Sequence, residues 1–177
     1  MRWDALFADL QGQWDAARRA EDDARIADLA ELEMGRTSIV DRLRARLDGT
    51  LTVRLTDASE VAGLVLDVAP QWLLLRTGER SAVVPATAVA AAWPLGPVAP
   101  QPGVVERRLG VSHVLRAIAR EGATVCIRST AGDFRGRIIR VGIDHLDAAL
   151  DLVPQRATGE ATVVTIAFGG LLLVEST

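Results

Sequence analysis

The sequence GTLTVRLTDASEVAGLVLDVAPQWLLL, residues 49–75, carries the pattern around which the rest of the chain is arranged. Polar and apolar residues alternate from Thr52 to Leu55, as they do in a strand with one buried face. A polar link typical of a turn, residues 56–60, separates this strand from a second apolar run at 61–68. A third run follows at 72–75. The stretch therefore predicts a bent meander of three short strands.

A diverged second version of this pattern lies at residues 122–148, GATVCIRSTAGDFRGRIIRVGIDHLDA. Gly49 and Gly122 are 73 residues apart, and so are Gly63 and Gly136. A fixed spacing with matching pattern on both sides indicates an internal repeat. A glycine inside a strand usually marks a bulge or a sharp bend, so each second strand is predicted to bend near its start.

The segments on either side of the two meanders also correspond. A short helix is predicted before each meander, at 38–48 and 112–121, with Gly49 and Gly122 as left-handed residues that end the helices. Two further strands with a tight turn between them are predicted after each meander. These strands and turns are at 81–85, 86–88 and 89–93 in the first copy, and at 161–165, 167–169 and 171–174 in the second.

A short helix followed by about five bent strands is the plan of small SH3-like barrels. Residues 49–93 resemble an Sm-like fold, with residues 61–68 in the place of that family's first motif. The whole chain, from its first residues MRWDALF onward, also resembles a family of uncharacterised proteins from high-GC Gram-positive bacteria, which brings no assigned activity. Sm-like RNA sites commonly hold a base with an asparagine and an aromatic or basic residue. At the matching position this chain has Gln71 and Trp72, which could imitate the amide and stack a base.

The predicted fold class is therefore α+β: a long N-terminal helix followed by two tandem small Sm/SH3-like β-barrels, each opened by a short helix. The domain boundaries follow from the repeats and from a stretch dense in proline and glycine between them. They are an N-terminal helical arm at 1–36, a first helix-plus-barrel repeat at 37–94, a linker at 95–106 and a second helix-plus-barrel repeat at 107–177.

The arm is predicted to be one helix from Arg2 to Met34, with an apolar stripe at steps of three and four residues. Its members are Trp3, Phe7, Leu10 and Trp14. A stripe with two tryptophans is too apolar to remain in water. It either packs on the chain's own barrels or pairs with another chain, and it is the candidate interaction surface.

The charge distribution argues against nucleic-acid binding, because such binding needs clustered basic residues. The net charge is −3 and the pI about 5.4. Residues 1–48 carry −3, residues 49–100 carry −1 and residues 101–177 carry +1. The candidate contact for an anionic ligand is a group of arginines in the second repeat: Arg128, Arg135, Arg137 and Arg140. Solubilising charge on an exposed strand is the alternative interpretation, and the favoured one.

Residues 107–121 resemble the turn and recognition helix of a helix-turn-helix motif. That motif needs a full helix before the turn. Only residues 104–109 lie between Pro102-Gly103 and the turn, so the favoured interpretation is the opening helix of the second repeat. A nucleic-acid-binding or transcription-regulatory protein, through an Sm-like RNA site or this segment, is the alternative function.

No catalytic, metal or nucleotide motif stands out. Asp144, His145 and Asp147 suggest a polar cluster, but a metal site needs three or four convergent ligands and the chain has only two histidines. The single cysteine, Cys126, alternates with apolar residues and is predicted to be packed. With no signal peptide or membrane-spanning run, a cytoplasmic location without membrane contact is expected. The expected function is a non-enzymatic interaction or scaffolding module without cofactor or metal, self-associating as a homo-oligomer or bound to an unknown protein partner.

Overall fold

The computed structural model describes residues 37–95, 110–151 and 162–177, together with scattered positions between 14 and 35. The chain divides into two compact units, Met1–Ser38 and Ile39–Thr177. In the first unit, the described positions between 14 and 35 are helical, and the longest uninterrupted described run is 21–26. The second unit contains every strand that the structure describes.

The second unit contains two α-helices and ten strands. The helices are α1 (Ile39–Arg44) and α2 (Val111–Glu121). The strands of the first half are β1 (Thr50–Leu55), β2 (Glu60–Ala69), β3 (Trp72–Thr77), β4 (Arg80–Pro85) and β5 (Val89–Trp93). Those of the second half are β6 (Val125–Ser129), β7 (Gly132–Val141), β8 (His145–Leu150), β9 (Val163–Ala167) and β10 (Leu171–Ser176). Short 3-10 turns, Ala86–Ala88 and Phe168–Gly170, precede β5 and β10. The predicted strand positions are thus confirmed to within a few residues.

The predicted fold class, however, is wrong. All ten strands form one open antiparallel sheet in the order β5-β1-β2-β3-β4-β10-β6-β7-β8-β9, not two tandem Sm/SH3-like barrels. A barrel would need β4 to pair with β5, and β9 with β10. Instead β4 pairs with β10, so the second half of the chain takes the place that a closing strand would occupy. The described residues also contain no long N-terminal helix; most of the predicted helix 2–34 lies outside them.

The glycines that suggested bent strands lie where two backbones meet. A Cβ at Gly136 would lie 2.1 Å from the carbonyl oxygen of Ala149 on β8, and one at Gly63 would lie 2.5 Å from that of Arg76 on β3. Neither position therefore tolerates a side chain without moving the neighbouring strand. A register shift follows in each half, between Val65 and Asp67 and between Ile138 and Arg140.

Two apolar cores share the central strand β10. Leu172 and Leu173 are buried in the core of the first half, whereas Leu171 and Val174 are buried in that of the second. Helix α2 adds a third contact between the halves, because its apolar residues pack on Ala69, Trp72 and Val83 of the first half. The second half therefore completes the core of the first through β10 and covers its surface through α2.

The helix ends follow the sequence prediction in one case and not in the other. Helix α2 ends at Gly122, which is left-handed with φ 67° as predicted. Helix α1 already ends at Arg44, and Asp48, not Gly49, has the positive φ (60°) before β1. Neither helix, nor any other in the described part of the chain, is long and apolar enough to cross a membrane.

Candidate functional site

The two outer strands of the sheet, β5 and β9, are the first candidate site. Within the described residues, β5 pairs only with β1, and β9 pairs only with β8. Each therefore has one side that no described strand covers. An unpaired edge presents a row of backbone donors and acceptors to any strand that can lie beside it.

The outward-facing residues of β9 can be identified from its hydrogen bonds to the β8 side. The Leu150 amide donates to the carbonyl oxygen of Thr162 (2.9 Å), and the Phe168 amide donates to that of Asp144 (2.7 Å). Antiparallel pairing alternates, so even-numbered residues bond inward and odd-numbered residues face outward. Val163, Thr165 and Ala167 thus direct their backbone groups away from β8, and the Val163 side chain is 53% exposed.

The β5 edge combines small residues with one large aromatic residue. Ala90 and Ala91 are exposed, and Trp93 is 40% exposed. The guanidinium of Arg54 lies 5.3 Å from the centroid of the Trp93 ring, a cation–π contact that orients the indole. Arg54 also donates from Nε to the Glu60 carboxylate (3.0 Å). No residue of β5 itself is charged.

The pair of β4 and β10 at the centre of the sheet shows how two strands of this kind associate. Val83 of β4 lies opposite Val174 of β10, and Ala82 lies opposite Glu175. The Glu175 carboxylate accepts a hydrogen bond from the Thr77 hydroxyl (3.2 Å) and lies 3.5 Å from the Arg80 guanidinium. Backbone pairing, packing and a partly buried ion pair thus join the two halves.

The four arginines predicted as an anionic contact are spread along the strands of the second half rather than gathered at one point. Three of them have carboxylate neighbours: Arg128 lies 3.6 Å from Asp133, Arg135 3.4 Å from Asp151, and Arg140 3.9 Å from Asp147. Arg137 has no ion pair within the described residues. Arg128 stands opposite Asp133 at the start of β7, about 23 Å along the strand from Arg140 at about 3.3 Å per residue. The group is therefore spread over the length of the strand.

An open groove between α2 and the end of β7 gathers a different set of basic residues. It has a volume of about 540 Å³ and is lined by His113, Arg116, Ala119, Arg120, Ile139, Arg140 and Val141. Arg140 is the only predicted contact among them. The sequence could have indicated Arg116 and Arg120 as well. They are four residues apart on a predicted helix and hence lie on one face of it.

Most of the predicted aromatic stripe lies outside the residues that the structure describes. Trp3, Phe7 and Leu10 fall outside the described residues. Trp14 is described, is helical and is 67% exposed. The candidate interaction surface on the arm remains a prediction.

The two residues suggested for base recognition have structural roles. Trp72 is buried against α2, so its ring is not available for stacking on a base. The side-chain oxygen of Gln71 accepts a hydrogen bond from the Val111 amide (3.2 Å), at the first turn of α2. Gln71 therefore caps a helix of the other half of the sheet.

The polar cluster in the turn between β7 and β8 is a local arrangement. His145 Nδ1 lies 2.8 Å from a carboxylate oxygen of Asp144, and this hydrogen bond lowers the pKa of Asp144. Asp147 instead accepts a hydrogen bond from the Thr165 hydroxyl (2.7 Å). No group of three metal-binding side chains occurs among the residues that the structure describes.

Comparisons with known proteins do not assign this arrangement. No protein-family model matches the chain, and no curated protein matches its sequence.

Proposed function

We propose that the protein is a self-associating scaffolding module whose copies join through the two edges of the sheet. The observation that carries the proposal is that β9 and β5 correspond to β4 and β10, the two strands that pair at its centre. Both halves place their strands in one order: β5-β1-β2-β3-β4 in the first and β10-β6-β7-β8-β9 in the second. On this proposal the halves are copies of one five-stranded repeat.

The two 3-10 turns show which residues of the two halves correspond. Ala86–Ala88 follows β4 and Phe168–Gly170 follows β9, which aligns Val83 with Thr165. The same turns precede β5 and β10, which aligns Ala92 with Val174. Because Val83 pairs with Val174 at the centre, the proposed contact places Thr165 of one copy opposite Ala92 of the next.

Such an interface is head-to-tail, because one copy contributes β9 and the next contributes β5. Head-to-tail contacts produce a ring if the rotation between copies closes and a filament if it does not. Two edge strands without a specific partner would pair with any exposed strand, and native proteins avoid this by covering or breaking their edges. The exposed Val163, Trp93 and small residues of β5 lack the charges that usually discourage such pairing.

Thr165→Pro tests the edge directly. The substitution removes an outward-facing amide while leaving the even-numbered residues of β9 bonded to β8, because proline lacks the amide hydrogen. We expect the wild-type protein to exceed the mass of one 18.9 kDa chain in light scattering at micromolar concentration, and the variant to show the one-chain mass. A wild-type protein that stays at one-chain mass at every concentration contradicts self-association.

Two control variants distinguish loss of the edge amide from loss of the Thr165 hydroxyl and from the presence of proline in β9. Thr165→Val removes the hydroxyl that donates to Asp147 but keeps the amide, and should associate normally. Ala167→Pro introduces proline at φ −70°, a compatible angle, in the position that corresponds to Pro85 of β4, and should also associate. If Thr165→Pro associates as the wild type does, the contact lies elsewhere, and the arm is then the surface to mutate.

A cysteine pair tests the register. In a Cys126→Ser background, Ala92→Cys with Thr165→Cys should oxidise to a ladder of covalent multimers, because opposed strand residues bring Cβ atoms within disulfide distance. Either new cysteine alone should give no ladder.

A further inference from the structure

We propose that the groove between α2 and β7 binds the phosphate backbone of single-stranded nucleic acid, with Arg116, Arg120 and Arg140 as the phosphate contacts. The proposal does not depend on self-association. His113, Arg116 and Arg120 are all exposed and lie at positions i, i+3 and i+7 of α2, so they share one helix face. The bulge in β7 turns Arg140 toward the same groove.

Among the residues that the structure describes, Arg140 is the only arginine of this groove with a carboxylate neighbour. None of its lining residues is acidic. Arg116 and Arg120 have no ion pair among the described residues; Arg116 donates to the carbonyl oxygen of Gly142 (3.4 Å), and Arg120 donates back to that of Arg116 (3.2 Å). Arg140 has Asp147 at 3.9 Å, but its own side chain is largely exposed. Like charges four residues apart repel each other on a helix, and an anion bound between Arg116 and Arg120 would relieve that repulsion.

The fold itself does not require this arrangement. The corresponding bulge of the first half places Asp67, not an arginine, after its register shift. Helix α1 spans only six residues, against eleven in α2, and ends at Arg44, so it has no helical counterpart of Arg120. The combination of two helix arginines with an arginine after the register shift is thus not repeated in the first half.

The shape of the groove favours a nucleic-acid strand over an acidic peptide. Strand β7 is paired on both sides, so no peptide can add to it as a further strand. The apolar floor consists of Ala119, Ile139 and Val141, too small for the row of anchors that an amphipathic helix needs. An open groove with three guanidinium groups suits the successive phosphates of one strand, and Ile139, 56% exposed, offers an apolar contact beside them. Guanidinium also binds phosphate through two parallel hydrogen bonds.

The test is fluorescence anisotropy with a labelled single-stranded oligonucleotide of about twelve nucleotides, within the usual site size of single-strand binders. We expect binding at low salt that weakens as salt rises, with a slope of log K against log salt of about −2 for three phosphate contacts at about 0.7 each. The variant Arg116→Ala/Arg120→Ala should lose about tenfold or more in affinity at low salt. Its slope should fall in magnitude by about 1.4.

The matched control is Arg42→Ala/Arg76→Ala, which removes two exposed arginines of the first half that have no carboxylate partner among the described residues. It changes the net charge equally and should bind as the wild type does. Arg116→Lys/Arg120→Lys should recover most of the salt slope because it restores the positive charges. The proposal is overturned if the wild type does not bind at low salt or if the two alanine double variants bind alike. Equal binding of an aspartate peptide of the same length and charge through the same arginines would reassign the groove to an acidic protein.

Discussion

At the scale of single residues, Gly136 illustrates how closely the strands of the second half are packed. A Cβ at this position would lie 2.1 Å from the Ala149 carbonyl oxygen and 2.8 Å from the Leu150 Cα, both backbone atoms. Gly136→Ala should therefore destabilise the protein by about 1–3 kcal/mol, measured by urea denaturation, because β7 and β8 must separate to make room. Gly169→Ala is the control, since a Cβ there meets nothing within 4 Å. Equal stability of the two variants would show that β7 and β8 can separate at Gly136 without a cost in stability.

A second residue, Gln71 of the first half, caps helix α2 of the second half. Its side-chain oxygen accepts the Val111 amide at the start of α2, and loss of such a cap costs about 1 kcal/mol. Gln71→Ala should lower the stability by about that amount in the same denaturation experiment. Gln71→Glu keeps the acceptor and adds negative charge near the positive end of the helix, so it should be neutral or stabilising. A Gln71→Ala variant as stable as Gln71→Glu would show that the cap contributes nothing.

At the scale of elements, the sequence predicted the strands well because each signal was local. Alternation, polar links and internal glycines placed β1 to β5 and β6 to β10 to within a few residues. What could not be predicted was which edges pair. The same strand, β4, can close on its own half or extend across to β10, and its residues 81–85 carry no mark that distinguishes the two. That choice depends on packing between distant segments, such as α2 on Trp72 and Val83.

The candidate sites divide in the same way. Arg140 was identified from its strand, but its neighbours Arg116 and Arg120 come from a helix that the fold brings beside the end of β7. Conversely, Arg128 and Arg135 looked accessible in the sequence and turn out to stand beside Asp133 and Asp151. Ion pairs across strands depend on register, which a one-residue slip would change completely.

At the scale of the whole molecule, the shared strand β10 predicts that the sheet unfolds as one unit. Leu172 is 1% exposed in the first core while Leu171, its neighbour, is buried in the second. Removing one side chain therefore weakens the strand on which both cores depend. Leu172→Ala should cost about 2–5 kcal/mol through the lost burial and the cavity left behind.

Two probes distinguish joint from separate unfolding. In a Trp3→Phe/Trp14→Phe/Trp72→Phe background the remaining tryptophan, Trp93 on β5, lies opposite β1 and reports on the first half by fluorescence. Thiol reactivity of Cys126, half-buried on β6, reports on the second. Coincident midpoints in urea, shifted together by Leu172→Ala, are expected for a single cooperative transition. A Leu172→Ala variant in which tryptophan fluorescence changes at lower urea than Cys126 reactivity would instead mean that β10 joins two independently stable halves.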